Sequence, residues 1–296
     1  MAGRTPIPPE RLSQLVHPRE RIYLALVILA SLLVYLWLGT ALLGVMAAGS
    51  QLAEIAKQAQ EGATPGAAAA PSATATSFMF LMYIPLIILF YLVAHGHMVG
   101  HLRGNGIRVT ARQFPVIHEL VERHAATLGL EPAPPVYVLQ AGGVLNAFAT
   151  RFFSRAFVVL YSDVVALAQE RGQDALGFVV AHELAHIRRG HLKHRWLKIP
   201  AYFVPYLGKA YSRACEYTCD RFSAESGPDG AIDGLLVLAA GKSLYRNVDV
   251  QLYAAQVDTE SGFWVRRAEI ASTHPRLPKR IAALLDAGMP LPASMP

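Results

Sequence analysis

Charge is scarce in this sequence. Asp, Glu, Lys and Arg make up 16% of its 296 residues, where about a quarter is usual for a soluble domain. With 53% hydrophobic residues, that deficit speaks against a chain bathed everywhere in water and places part of it in lipid. Cysteine is scarcer still. Cys215 and Cys219 are the two in the chain, four apart in a helical pattern, where the Cβ vectors do not converge on a disulfide. They read as small, reduced, semi-buried thiols in a reducing compartment. A phosphate-binding P-loop and a serine-nucleophile signature are both missing. Gly142-Gly143 lacks the context of a dinucleotide fingerprint and reads as a turn. There is no internal repeat. The formal net charge of +6 is not interleaved with aromatics. It flanks apolar segments, which fits an anionic membrane surface and not nucleic acid.

Long apolar runs, in contrast, are present twice. Ile22–Met46 and Phe78–Gly100 carry no Asp, Glu, Lys or Arg, and a bilayer core needs about 20 apolar residues as helix. Pro85 is tolerable in a membrane helix. We therefore expect two transmembrane helices, at 22–46 and 78–100, with a cytoplasmic segment at 1–21 and a flexible extracytoplasmic loop at 47–77. Basic residues set the orientation. Arg4, Arg11, Arg19 and Arg21 precede the first run and Arg103, Arg108 and Arg112 follow the second, while Lys57 stands alone between them. Both termini are then cytoplasmic, in a bacterial-type inner membrane. His95, His97 and His101 at the end of the second run read as interfacial side chains facing headgroups and water.

Residues 103–296 have the patterning of a globular domain, α+β but mainly α. Helices are expected at Arg112–Leu128, about 173–189, 210–226, 231–244 and 275–287, and short strands at Pro135–Gln140 and Ala156–Tyr161. Trp196–Leu207 is apolar but broken by Pro200 and Pro205, too short to span, and suited to lying on the bilayer or in the core. His191 and His194 read as part of a solvated basic turn.

The chemistry is concentrated in His182-Glu183-Leu184-Ala185-His186. Two histidines four apart on a helix share one face and can present their nitrogens to one metal. Glu183 projects at a neighbouring angle, where it can take the proton of a water that zinc acidifies. A catalytic zinc needs a third protein ligand and an open position. The extended three-histidine pattern fails, because position 189 is arginine and position 192 leucine. Glu216 is the best candidate on the next amphipathic helix, with Asp220 one turn on, able to orient a ligand imidazole. By spacing alone, Glu216 is equally a surface partner of Arg213 or Arg221.

Four segments in order, N-A-F-A at 146–149, H-E-L-A-H at 182–186, S-R-A-C-E-Y-T-C-D at 212–220 and S-T-H-P at 272–275 followed by Arg280, resemble the HtpX-like membrane metallopeptidases, relatives of the zinc-dependent CaaX prenyl protease. The resemblance implies a gluzincin-type fold with one Zn2+ on His182, His186 and Glu216. Glu183 would be the base and Asp220 would stand behind a ligand. It also implies that Asn146 lies on a cleft-edge strand, and that Asn146 and His274 donate to the developing oxyanion. Without the resemblance, Asn146 reads as a turn residue and His274 as a helix cap. Arg280 is either a cleft residue or an ion-pair partner. Relatives commonly carry further spans between the zinc helix and the glutamate helix; here the insert is only the Pro-broken run, so two spans are expected. The reading is a membrane-anchored zinc endopeptidase acting on protein or peptide substrates at the lipid bilayer. The alternative is a non-proteolytic scaffold, which would have no use for Glu183. Oligomeric state is not legible.

Overall fold

The computed structural model describes residues 5–62, 73–140, 147–152, 155–166 and 172–292. Each apolar run forms one helix. After a short α1 (Pro9–Leu15), α2 runs from Pro18 to Gly62 and α3 from Ala73 to Asn105. Both are long and apolar enough to cross a membrane, over Pro18–Gln51 and Pro85–Asn105. Large side chains such as Leu36, Trp37 and Leu43 on α2 and Ile87 and Phe90 on α3 are exposed, with no protein core to enter. Helix α2 is longer than expected. Residues 47–62, read as loop, are rich in Ala, Gln, Glu and Lys without proline, and such residues propagate a helix. Residues 63–72 of that expected loop lie outside the described residues.

The sheet is small, with order β1-β2-β4-β3. Its strands are β1 (Ile107–Arg108), β2 (Val136–Leu139), β3 (Ala147–Phe152) and β4 (Arg155–Tyr161). β2 runs parallel to β4 (Val136↔Val158), while β3 is antiparallel to it (Ala147↔Leu160) and forms an edge. Side chains alternate across the pleat. Val136, Val138, Val158 and Leu160 enter the main core, while Tyr137, Phe157 and Val159 meet Val99 and Leu102 of α3 on the other face. The second apolar helix is thus bound to the back of the sheet.

Helices α4 (Pro115–Thr127) and α6 (Gln173–Arg188) cover the front face, with the single turn α5 (Ser162–Val165) between them in sequence. Then come α7 (Arg195–Lys198) with a 3-10 turn at Ile199–Phe203, α8 (Leu207–Ser226), α9 (Ala231–Leu244), α10 (Val250–Thr259), α11 (Phe263–Ala271) and α12 (Leu277–Asp286). The run at 196–207 does not span; it folds into α7 and the 3-10 turn against α2. The segment before α2, expected to stand apart from the globular domain, belongs to its core. Leu12 and Val16 are buried there, Ile7 N donates to Thr127 O, and Arg11 makes a two-point ion pair with Glu225.

Helix α6 is central, with Leu176, Phe178, Val180 and Leu184 fully buried between α4, α8 and α9. Close approach fixes its start. A Cβ at Gly230 would fall 2.0 Å from the Asp174 carbonyl oxygen, a backbone atom that cannot rotate away. Gly230→Ala is therefore expected to cost roughly 1–3 kcal/mol, as overpacking does, and to lower the melting temperature; an unchanged melt would contradict this packing.

Candidate active site

His182 and His186 project from α6 with their Nε2 atoms 3.2 Å apart. Helix α8 crosses in front of them. Glu216 places Oε2 3.3 Å from His182 Nε2 and Oε1 3.4 Å from His186 Nε2. These separations test whether a zinc ion fits. A tetrahedral ion with bonds of ~2.0–2.1 Å has ligand–ligand edges of roughly 3.3–3.4 Å. The two imidazole nitrogens match that spacing and each has a Glu216 oxygen at a similar distance, so the three side chains would fit a zinc ion. The alternative of a surface pairing for Glu216 is overturned: Glu216 is 3% exposed, and Arg213 instead donates to the carbonyls of Ile270 and Ser272.

A charged layer backs these side chains. His182 Nδ1 lies 3.0 Å from Asp220 Oδ1. Arg280 of α12 donates to both Asp220 oxygens, at 2.7 and 2.6 Å, and sits 3.3 Å from Glu216 Oε2. Burial alone would raise both carboxyls. For Glu216 the hydrogen bonds of His182 and His186 and the Arg280 charge prevail and hold it well below the usual range; for Asp220 the Arg280 charge and hydrogen bond do so. Burial disfavours a charged imidazole, yet hydrogen bonds to Asp220 and Glu216 raise His182 to about 10. The surrounding carboxylates therefore favour positive charge where the imidazoles meet, a setting that suits a dication.

Glu183 Oε2 accepts the N–H of Ala149 at 2.6 Å. Burial raises its pKa, against the pull of His186 and His182, in the direction suited to a general base. The Ala149 N–H points away from β4, so the free edge of β3 faces the site. His274, on the loop before α12, sets Nε2 3.6 Å from Glu216 Oε1 and is largely exposed. Asn146, the residue before β3, lies outside the described residues. His182, Glu183, His186, Glu216 and His274 border a cavity of about 710 Å³, walled also by Phe148, Ile199, Tyr202 and Phe203.

Sequence reasoning misplaced His191. Its side chain is 7% exposed and its ring lies against His186, whereas His194 is exposed in a left-handed turn (φ 52°). The signal was available: Gly190 (φ 71°) reverses the chain directly after α6.

The profile of peptidase family M48 matches residues 111–206 and 198–287. The chain belongs to peptidase family M48. The match takes in α6, α8 and α12, and accords with the HtpX- and CaaX-protease-like resemblance. Membership makes the chain a metallopeptidase by family, and M48 metallopeptidases are typically zinc-dependent. No curated protein and no solved structure gave a significant match.

Arg280→Met would leave two buried carboxylates with the imidazoles as their remaining partners, an expected cost of about 3–5 kcal/mol in the zinc-free chain. A dication would offset part of this, so zinc should raise the variant's melting temperature more than the wild type's; equal shifts would count against the role given to Arg280.

Proposed function

We propose that this M48 member is a membrane-anchored zinc endopeptidase acting on membrane or membrane-proximal proteins, in quality control or processing. The observation that carries the reading is the His182–His186–Glu216 triangle of zinc-sized edges with Glu183 beside it. When bound there, zinc supplies a Lewis acid that polarises a peptide carbonyl and acidifies a water. Glu183 takes the proton of the attacking water and returns it to the leaving amine. The edge of β3 away from β4 offers an extended substrate a strand to pair with. His274 borders the same space, and it and Asn146 are our candidates for donors to the carbonyl oxygen as charge develops there.

The membrane part rests on α2 and α3 and on the wall of the cleft. Trp196, Ile199, Tyr202 and Phe203 are 63%, 43%, 54% and 81% exposed, far from what a water-facing turn carries. This turn lies along α2, where the Tyr35 hydroxyl donates to the Trp196 carbonyl. Tyr35 falls inside the proposed span at 22–46, so the turn sits at the depth of the near leaflet. Ile199, Tyr202 and Phe203 also line the cavity. Substrate would enter beside the lipid surface, on the cytoplasmic side given by the basic flanks.

The test is cleavage of a casein-type substrate by the purified, zinc-loaded full chain. Glu183→Gln is expected to lower the rate by about 10²–10⁴-fold with unchanged zinc content and melting temperature. Wild-type activity in that variant would refute the assignment.

A further inference from the structure

A metal-bound imidazole is held in place by what its other nitrogen touches. For His182 that partner is Asp220. His186 has no carboxylate at hand: its Nδ1 lies 3.0 Å from Nδ1 of His191. Across the His191 ring, Nε2 lies 3.3 Å from Oε1 of Glu20. Glu20 is 1% exposed and fixed from two further sides, by Arg189 Nη2 at 2.6 Å and by the Thr218 hydroxyl.

One assignment of protons satisfies the contacts from His186 Nδ1 to Glu20 and leaves Nε2 open to a metal. His186 Nδ1–H donates to His191 Nδ1, His191 Nε2–H donates to Glu20, and His186 Nε2 keeps its lone pair for a metal. The reverse tautomers would set the His191 Nε2 lone pair against the Glu20 carboxylate and place on His186 Nε2 a hydrogen that donates to Glu216 and closes that nitrogen to a metal. We propose that Glu20 and His191 are positioning residues, a relay that locks the ring and tautomer of His186 for zinc. This rests on the zinc site proposed above.

A second metal site is the competing reading, since Glu20, His191 and Cys215, and likewise His186, His191 and Cys219, bring donors within 4.8 Å of one another. The neighbouring charges oppose it. The Arg189 guanidinium already occupies Glu20, and the Lys198 ammonium donates to the His191 carbonyl at 2.7 Å. Burial pushes both thiols up, away from the thiolate that binds metal. Glu20 also lies in the first turn of α2, so the anchoring helix reaches the metal site through two hydrogen bonds. A fragment beginning after the spans lacks this support.

The experiment is the zinc dissociation constant of the full chain in phosphatidylethanolamine–phosphatidylglycerol nanodiscs, by chelator competition. His191→Phe keeps a ring of similar size without nitrogens and should weaken zinc by roughly 10–100-fold. Glu20→Gln keeps an acceptor and should bind zinc several-fold more tightly than Glu20→Leu at matched melting temperature. Wild-type affinity in a folded His191→Phe overturns the relay. If that variant does not fold, the Glu20 pair decides, and equal affinities for Gln and Leu overturn it. A wild-type chain that takes up no zinc would instead sink the peptidase reading itself.

Discussion

The buried ion pair between Arg280 and the carboxylates of α8 is the constraint on which the site depends. Helix α8 carries Glu216 and Asp220 into the interior at 3% and 2% exposure. Two carboxylates a turn apart in a dry core are tolerated only when every oxygen finds a cation or a donor. Arg280 supplies part of this from α12, sixty residues further on, and the imidazoles of α6 supply the rest. Three helices are thereby pinned at one point. The loop entering α12 is pinned with them, which brings His274 to the rim of the cleft, and Arg213 ties the same loop to α8 through its carbonyls.

The two imidazoles are supported unequally. His182 meets its carboxylate directly within the globular fold. His186 meets one only through a second ring, and that carboxylate comes from the helix leading into the proposed bilayer. The setting of His182 thus depends on packing within the domain and that of His186 on how α2 sits on α8. Val27 and Tyr23 of α2 pack against Tyr211 and Cys215 of α8, so the contact that seats the anchor also seats Glu20.

Local features of the site were legible and long-range ones were not. His182, Glu183 and His186 could be read because helical spacing alone puts them together. Glu216 could be ranked first but not separated from a surface ion pair, because the choice depends on where α12 delivers Arg280. Strands β2 and β4 showed as β-branched, aromatic runs. Edge strand β3 carries Thr150 and Arg151 among its six residues and surfaced only through the N-A-F-A resemblance. Helices α10 and α11 escaped notice; they bury almost nothing, Val250 in α10 and no residue of α11. His191 was misread because what buries it, α2, lies some 170 residues earlier in the chain. Residues 47–62 were read as loop from the low complexity that follows them, although their own residues favour helix.

Packing before the first apolar helix bears on how the chain would lie in a membrane. Ile7, Leu12 and Val16 enter the same core as the residues after the second apolar helix, and Arg11 reaches Glu225 in α8. A folded core cannot straddle a bilayer, so the two ends of the helical hairpin must lie on the same face. That requires an even number of crossings, independently of where the basic residues fall. It excludes an arrangement in which only α2 or only α3 crosses. The long α2 and α3 then either both span or both do not, and their exposed leucines, isoleucines and aromatics have no other apolar medium to enter among the described residues. The same packing joins the first apolar helix to the candidate site. The segment packed into the domain leads directly into α2 at Pro18, two residues before the carboxylate that meets His191 and, through it, His186.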